Sequence, residues 1–393
     1  MKKAKVAIVK ASDYESKEIS AGLKKGLALL GGLEKIIKPK SKVFVKINHL
    51  SSSSPPERGI ITHPAFTKEV LRLLKEFDLE ITVGDDIHSG EQDGFMNTGY
   101  RQVCEELGVR LVNLKEIGFQ EIDCNSRLLR KVYMPPLILG ADYILNLPKL
   151  KTHSFTMYTG AVKNMFGIIP HGLKIDYHRK YVGNDVFSQM LVDLFSCVPP
   201  QLTIMDGIIA MEGEGPSGGN TKKVGLIFAS QDAVAVDAVA TKIVGFDPMD
   251  IYTTFHAHEK GLGIGAIEDI EITGESIHDI QVKDFKQSAV AVNLLRRKIP
   301  SFLYGYLQAE LRLIPEVSPE KCTLCLECVE ICPCEAIQSG QDSTWIDKKL
   351  CINCMCCHEA CQFQAIRLKQ RPIGRMIRKG GSLLKRIKSI MRR

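Results

Sequence analysis

From residue 4 to about residue 250 the apolar positions alternate between two rhythms. Short, nearly continuous apolar runs at 4–10, 42–47, 79–83, 109–114, 143–147, 202–205 and 224–229 predict strands, because a strand buried on both faces needs no polar alternation. Between them, residues 15–30, 65–77, 99–107, 186–198 and 233–244 space their apolar side chains three and four apart, which predicts helices. Thr62-His63-Pro64 precedes one of these with a start signal. The alternation predicts an α/β fold, a mostly parallel sheet with flanking helices, over residues 1–280. Residues 281–312 keep helical character around Leu294, Leu295, Phe302, Leu303 and Leu307, broken by Pro300, and are expected to connect this body to a separate C-terminal module.

Beyond that connector cysteines set the pattern. Cys322, Cys325, Cys328 and Cys332 spell C-x2-C-x2-C-x3-C, and Cys351, Cys354, Cys357 and Cys361 repeat it 29 residues later. The register extends past the cysteines, with Val317 matching Ile346, Ala336 matching Ala365 and Ile337 matching Ile366, so this is an internal repeat. Three cysteines at intervals of three wrap one loop around a cluster, whereas the fourth lies too far along and reaches the other cluster. Over residues 313–369 the chain resembles the two-cluster bacterial ferredoxins, a small α+β domain, with Pro333 closing the first motif as in that family. The reading assigns Cys322, Cys325, Cys328 and Cys361 to one [4Fe-4S] cluster and Cys351, Cys354, Cys357 and Cys332 to a second. Gln362 stands where the family has proline, which is expected to loosen that turn, and Cys334 and Cys356 are additional thiols. Two tetrahedral zinc ions are the alternative occupants, although zinc sites favour paired CxxC knuckles over triple runs. Cys104, Cys124 and Cys197 are isolated and expected to be buried structural thiols.

The formal charge of +7 conceals an asymmetry. Eleven of the 52 Lys and Arg lie between Arg367 and Arg393, where no acidic residue occurs, so the rest of the chain is mildly acidic. In the tail at 370–393, Ser382 can cap a helix with Leu383, Leu384, Ile387, Ile390 and Met391 on one face and basic residues elsewhere. Such a helix suits peripheral contact with an anionic membrane surface or an acidic partner, and a solvated tail is the plainer reading. Nucleic acid is not expected, because the segment has no aromatic side chains for stacking. No run approaches the roughly 18 apolar residues of a spanning helix. The apolar stretch after Lys5 is too short for a signal peptide, so a cytoplasmic protein is expected, bound at most peripherally to the inner membrane surface.

Open α/β sheets bind ligands beyond the carboxyl ends of their strands. There the sequence places Asn48, Asp85, Asp86, the group Lys149, Lys151, Thr152 and His153, and Asp206. No glycine-rich nucleotide loop is present, so neither NAD, FAD nor ATP is predicted. The stretch from Asn146 through Lys149, Lys151, Thr152 and His153, followed by Thr159-Gly160-Ala161-Val162-Lys163-Asn164-Met165-Phe166-Gly167, resembles the family called domain of unknown function 362. Lys46-Ile47-Asn48, Thr62-His63-Pro64, Gly84-Asp85, Asp206-Gly207-Ile208, Glu212-Gly213-Glu214-Gly215-Pro216 and Asp232 through Asp237 agree with it. The resemblance covers most of residues 5–250 and implies a fold and a site without a reaction.

Lys151, His153 and Lys163 are the expected catalytic groups. Lys149, Thr152, Asn164, Asn48, Asp85 and Asp206 are the expected binding groups, the lysines suiting a carboxylate or phosphate through charge-assisted hydrogen bonds. His63, His171 and His178 are further titratable candidates, with a structural role the default for each. The glycine-rich acidic loop at 212–219 is a lid or a turn, and Asp232 reads as a helix cap. Together these features predict an iron-sulfur redox enzyme passing single electrons between a low-potential donor or partner protein and an anionic small molecule, in an oxygen-sensitive, anaerobic setting. The alternatives are an electron-transfer adaptor that docks a partner oxidoreductase without its own substrate, and clusters that are only structural or regulatory.

Overall fold

A computed structural model describes residues 3–87, 93–288 and 312–371. Most of the expected connector at 281–312 and nearly all of the basic tail at 370–393 lie outside the described residues. The strands of the body are β1 (Ala4–Lys10), β2 (Lys42–Ile47), β3 (Glu80–Asp85), β4 (Arg110–Asn113), the hairpin β5 (Gln120–Asp123) and β6 (Lys131–Met134), β7 (Tyr143–Leu147), β8 (Lys149–His153), β9 (Met157–Thr159), β10 (Leu202–Glu212), β11 (Asn220–Ser230) and β12 (Ile270–Gly274). Ten of them form one sheet in the order β12-β1-β11-β10-β7-β2-β3-β4, with β8 paired to β10 and β9 to β8. The half from β10 through β7, β2, β3 and β4 is parallel, as expected of strands joined by helices. β11 runs antiparallel to both β1 and β10.

Alternation along the strands fills both faces of the sheet. In β1, Ala7 and Val9 join a core under the helices Ser16–Leu29, Pro64–Leu74 and Tyr100–Leu107, while Val6 and Ile8 join a second core under the helix Ala233–Ile243. In β2, Val43, Val45 and Ile47 point to the first core; Phe44 points away from it. Lys46, on the same alternation as Phe44, is completely buried.

Several features differ from the sequence reading. Lys149–His153, expected beyond a strand end, is itself a strand, invisible to apolar pattern because its polar side chains are buried against specific partners. Asp206 lies inside β10 rather than at its end, because β10 runs on to Glu212 past a register shift between Gly207 and Ile209, paired throughout with β11. Cys124 and Cys197, expected as separate thiols, form a disulfide across 73 residues. The β5–β6 hairpin is held against the helix Asn184–Cys197 by Leu128 and Leu129 N–H groups donating to Asp193, which brings the two together.

The C-terminal module has two antiparallel ribbons, β13 (Leu313–Val317) with β16 (Ile366–Gln370) and β14 (Ile337–Ser339) with β15 (Thr344–Ile346), and two short helices, Glu327–Glu330 and Cys356–Ala360. The sequence repeat is also a backbone repeat. Leu324, Leu326 and Glu335 adopt left-handed φ, and so do Asn353, Met355 and Gln364 at the matching positions. No helix among the described residues is long and apolar enough to cross a membrane.

Candidate functional site

A cavity of about 310 Å3 lies between the body and the C-terminal module. Asn48 and Asp85, where β2 and β3 finish, line it from one side, with Lys151 of β8 and Lys163 and Asn164 of the turn Ala161–Asn164. The helix His171–Lys180 presents His171, Lys174 and His178, spaced three and four apart on one face. From the module come Cys356, Glu359 and Gln362.

The lysines of this region differ in how their charge is met. Lys46 is paired with Asp85 at 2.8 Å and Lys174 with Asp86 at 2.8 Å. Lys151 has no carboxylate partner among the described residues; its ammonium donates to Asn48 Oδ1 at 2.8 Å and to the Ile60 carbonyl at 2.5 Å. Burial first, and then the neighbouring Lys163, push its pKa well below the usual lysine range. Lys163 has no hydrogen bond or ion pair among the described residues, only the Phe166 ring 5.9 Å away, and burial lowers its pKa as well. Two desolvated amines without a carboxylate in contact are poised for an anion.

His153 stands behind them, fully buried. Its Nδ1 accepts from the Phe155 and Thr156 N–H groups at 3.0 and 3.3 Å, so Nε2 carries the proton and faces Glu359 at 3.1 Å. Burial and Lys163 lower its pKa to about 4 and keep the ring neutral. For Glu359, burial opposes the ionised form, but His153 and Lys163 outweigh it and hold the carboxyl below its usual range. The other expected residues sit apart from the cavity. Lys149 pairs with Asp206 at 2.7 Å and donates to Tyr14. Tyr14 stacks on His63, whose Nδ1 caps the helix Pro64–Leu74 through Ala65 N–H. Thr152 donates to the Met211 carbonyl and accepts from Gly215 N–H.

The turn carrying Lys163 and Asn164 is fixed from outside. The buried Asp237 carboxylate accepts from Ala161 N–H at 2.6 Å, Val162 N–H at 3.0 Å and the Tyr158 hydroxyl at 3.0 Å. Gly160 admits no side chain, since a Cβ there would fall 2.1 Å from the Tyr158 oxygen; at Gly167 it would fall 2.5 Å from Asp85. Asp232 caps its helix through Ala235 N–H, as expected. Lys174, His49 and Glu359 were not singled out in the sequence, and Lys46 entered only within the stretch Lys46-Ile47-Asn48. For Lys174 the signal was present, as the i, i+3, i+7 spacing of His171, Lys174 and His178.

Two small recesses lie in the module. Cys322, Cys325, Cys328 and Cys361 line one, and Cys332, Cys351, Cys354 and Cys357 line the other together with Cys334 and Cys356. Ala336 N–H donates to Cys332 Sγ and Ala365 N–H to Cys361 Sγ, both at 3.2 Å, and the left-handed residues of each loop turn further amides inward, an arrangement suited to anionic clusters. Among the described residues no three His, Cys, Asp or Glu side chains close on a single-ion position. Four thiols around a recess fit a cubane better than one tetrahedral ion. The 212–219 loop seats this module: Ser217 donates to the His358 and Glu359 carbonyls, and His358 Nε2 lies 3.0 Å from the Glu214 carbonyl. Arg58 reaches the Ser217 carbonyl at 2.9 Å, and Gln362 contacts Ser53.

The family model described as "Domain of unknown function (DUF362)" matches residues 43–242, the body that carries the cavity. This chain belongs to the DUF362 family. A second model, "4Fe-4S binding domain", matches residues 315–338. A DUF362 protein with a 4Fe-4S-binding domain is a protein of redox chemistry. The chain is 34% identical over 266 residues to "Thylakoid-associated protein sll1697" of Synechocystis sp., a match spanning 67% of this chain and 81% of that protein. It is 48% identical over 40 residues to a ferredoxin of Alicyclobacillus acidocaldarius, 10% of this chain and 51% of that one. Among solved structures, the lactate racemase apoprotein from Thermoanaerobacterium thermosaccharolyticum aligns at a TM-score of 0.39 with 12% identity, over 58% of this chain and 54% of that chain, a likeness too loose to inform this DUF362 site.

Proposed function

We propose that this DUF362 protein passes electrons through two [4Fe-4S] clusters to or from an anionic small molecule held in the cavity between body and module. One observation carries the reading: the cavity is lined both by Lys151 and Lys163, the amines without a carboxylate partner, and by Cys356, which lies between Cys354 and Cys357. Cys322, Cys325, Cys328 and Cys361 would hold one cluster, and Cys351, Cys354, Cys357 and Cys332 the other. When bound, the clusters supply one-electron transfer.

The chain's own residues supply the rest. Lys163 and Lys151 hold the anion with charge-assisted hydrogen bonds. Asn48 orients the Lys151 ammonium. Asn164 donates to Asn146 Oδ1 at 2.8 Å and thereby fixes the turn under Lys163. Lys163 is the proton source, since an amine whose pKa is lowered gives up its proton more readily than an ordinary lysine. His153, its proton held on Nε2, keeps Glu359 and the module's helix in place against the body. A low-potential donor or partner protein meets the exposed Cys325 side of the module. The basic segment at 370–393 contacts an anionic membrane surface, a reading with which the name of the thylakoid-associated relative agrees.

The test is anaerobic purification of the full chain, iron and sulfide analysis, and mass spectrometry of co-purifying small molecules. Reoxidation of the reduced clusters by the identified compound should fall at least tenfold in Lys163→Ala and in Lys151→Ala with iron content unchanged. Unaltered reoxidation in both variants would sink the proposal.

A further inference from the structure

The cavity wall is more apolar than polar, and its charges nearly cancel. Lys163 and Phe166 stand three residues apart, where the turn Ala161–Asn164 runs on into Met165–Ile168, and the Lys163 ammonium lies 5.9 Å from the centre of the Phe166 ring. His178 at 6.2 Å and Phe187 at 5.7 Å meet that ring edge to face, so a lone ammonium and a packed aromatic wall are neighbours. Ile175 adds to the apolar lining from the helix His171–Lys180, Leu50 from the segment after β2, and Ile331 from the module. Among the charged groups, Lys46 is paired with Asp85 and Lys174 with Asp86. Burial lowers His49 to about 4 and His178 to about 3, which leaves both rings neutral at pH 7. Lys151 and Lys163 then stand against an ionised Glu359, so with both amines protonated the inner lining carries one excess positive charge. Glu327 and Glu330, less buried on the module, add only negative charge.

We propose that the anion is an amphipathic monocarboxylate, its carboxylate on Lys151 and Lys163 and its apolar body, an aromatic ring or a chain of similar size, against Phe166 and Ile175. This rests on the anion-binding reading above and adds the chemical class of the ligand. One carboxylate neutralises one excess cation. A phosphate monoester, dianionic at neutral pH, brings a second negative charge that meets Glu359 in a recess largely withdrawn from water. The apolar body displaces water from the Phe166 wall, a driving force that the lysines do not supply. A volume of about 310 Å3 admits such a molecule.

The experiment is calorimetric titration of the full-length, cluster-loaded protein under anaerobic conditions with 3-phenylpropionate, propionate and 2-phenylethyl phosphate, weak binders being read by competition. 3-Phenylpropionate should bind at least about tenfold more tightly than either of the others. Lys163→Ala should weaken both carboxylates. Phe166→Ala should cut the lead of 3-phenylpropionate over propionate at least about threefold. Because Phe166 packs on Phe187, Ile175→Ala, at a half-buried helix position, is the second variant; it should cut the same lead at least about twofold, and it alone decides if Phe166→Ala fails to fold. Tighter binding of the phosphate than of 3-phenylpropionate, lost in Lys163→Ala, overturns the carboxylate assignment and leaves the anion site standing. Equal affinities of the two carboxylates, or a lead that survives in both wall variants, overturn the apolar subsite and again leave the anion site standing. Absence of binding by all three probes, or binding that Lys151→Ala and Lys163→Ala leave unchanged, overturns the anion-binding reading itself.

Discussion

Lys151 and Lys163 owe their character to what they lack. Each is an ordinary lysine in sequence, and the missing carboxylate partner sets it apart from Lys46, Lys149 and Lys174. The same holds for the thiols of the module. Cys354 keeps the repeat's spacing and lines a recess with Cys332, Cys351 and Cys357, while its neighbour Cys356 also faces the cavity. Cys354→Ser is therefore expected to lower iron from about eight to about four per chain, whereas Cys356→Ser should leave iron intact and alter only reoxidation by the bound compound. Iron and sulfide analysis of the two variants checks this, and loss in Cys356→Ser with iron retained in Cys354→Ser would move the ligand assignment to Cys356. Spacing identified the eight repeat cysteines. That Gln362 contacts Ser53 and Arg58, rather than merely loosening a turn, depends on contacts across 309 and 304 residues.

At the level of elements, strands with apolar side chains were legible and those with polar ones were not. β1, β2 and β7 have the predicted bounds, since burial on both faces demands continuous apolar sequence. β8 reads as a polar segment, yet every side chain in it is buried, satisfied by partners such as Asn48, Asp206 and Met211. The helix His171–Lys180 was missed because its buried face is short and its exposed face charged. The turn Ala161–Asn164 is four residues long and owes its geometry to Asp237. Burial raises the Asp237 carboxyl to about 6. The native state thus keeps a proton that the unfolded chain has already lost, and the stability this group contributes falls as pH rises through about 6. Between pH 5 and pH 7.5 the stability lead of the wild type over Asp237→Asn should shrink by about 1 kcal/mol. Urea unfolding of both proteins across that range tests it; a constant gap would place the Asp237 carboxyl in its usual range.

On the scale of the whole molecule, a body of mildly acidic character ends in a basic segment. If the segment at 370–393 binds anionic lipid, the full chain should co-sediment with vesicles containing phosphatidylserine at low salt and be released at high salt, and a chain ending at residue 371 should not. Retention of the shortened chain on the vesicles would assign the contact to another surface. The sequence by itself determined the α/β class, the ferredoxin-like module and its repeated cysteine spacing, because burial period and thiol spacing are local and each repeats along the chain. Only the tertiary structure decided that β2, β3, β8, the turn bearing Lys163 and the module's helix enclose one cavity, that Lys149 and Asp206 neutralise each other away from it, and that Cys124 meets Cys197. Those outcomes turn on which charges find a partner after burial, and a lysine's sequence neighbours do not record whether a carboxylate from a distant strand will reach it.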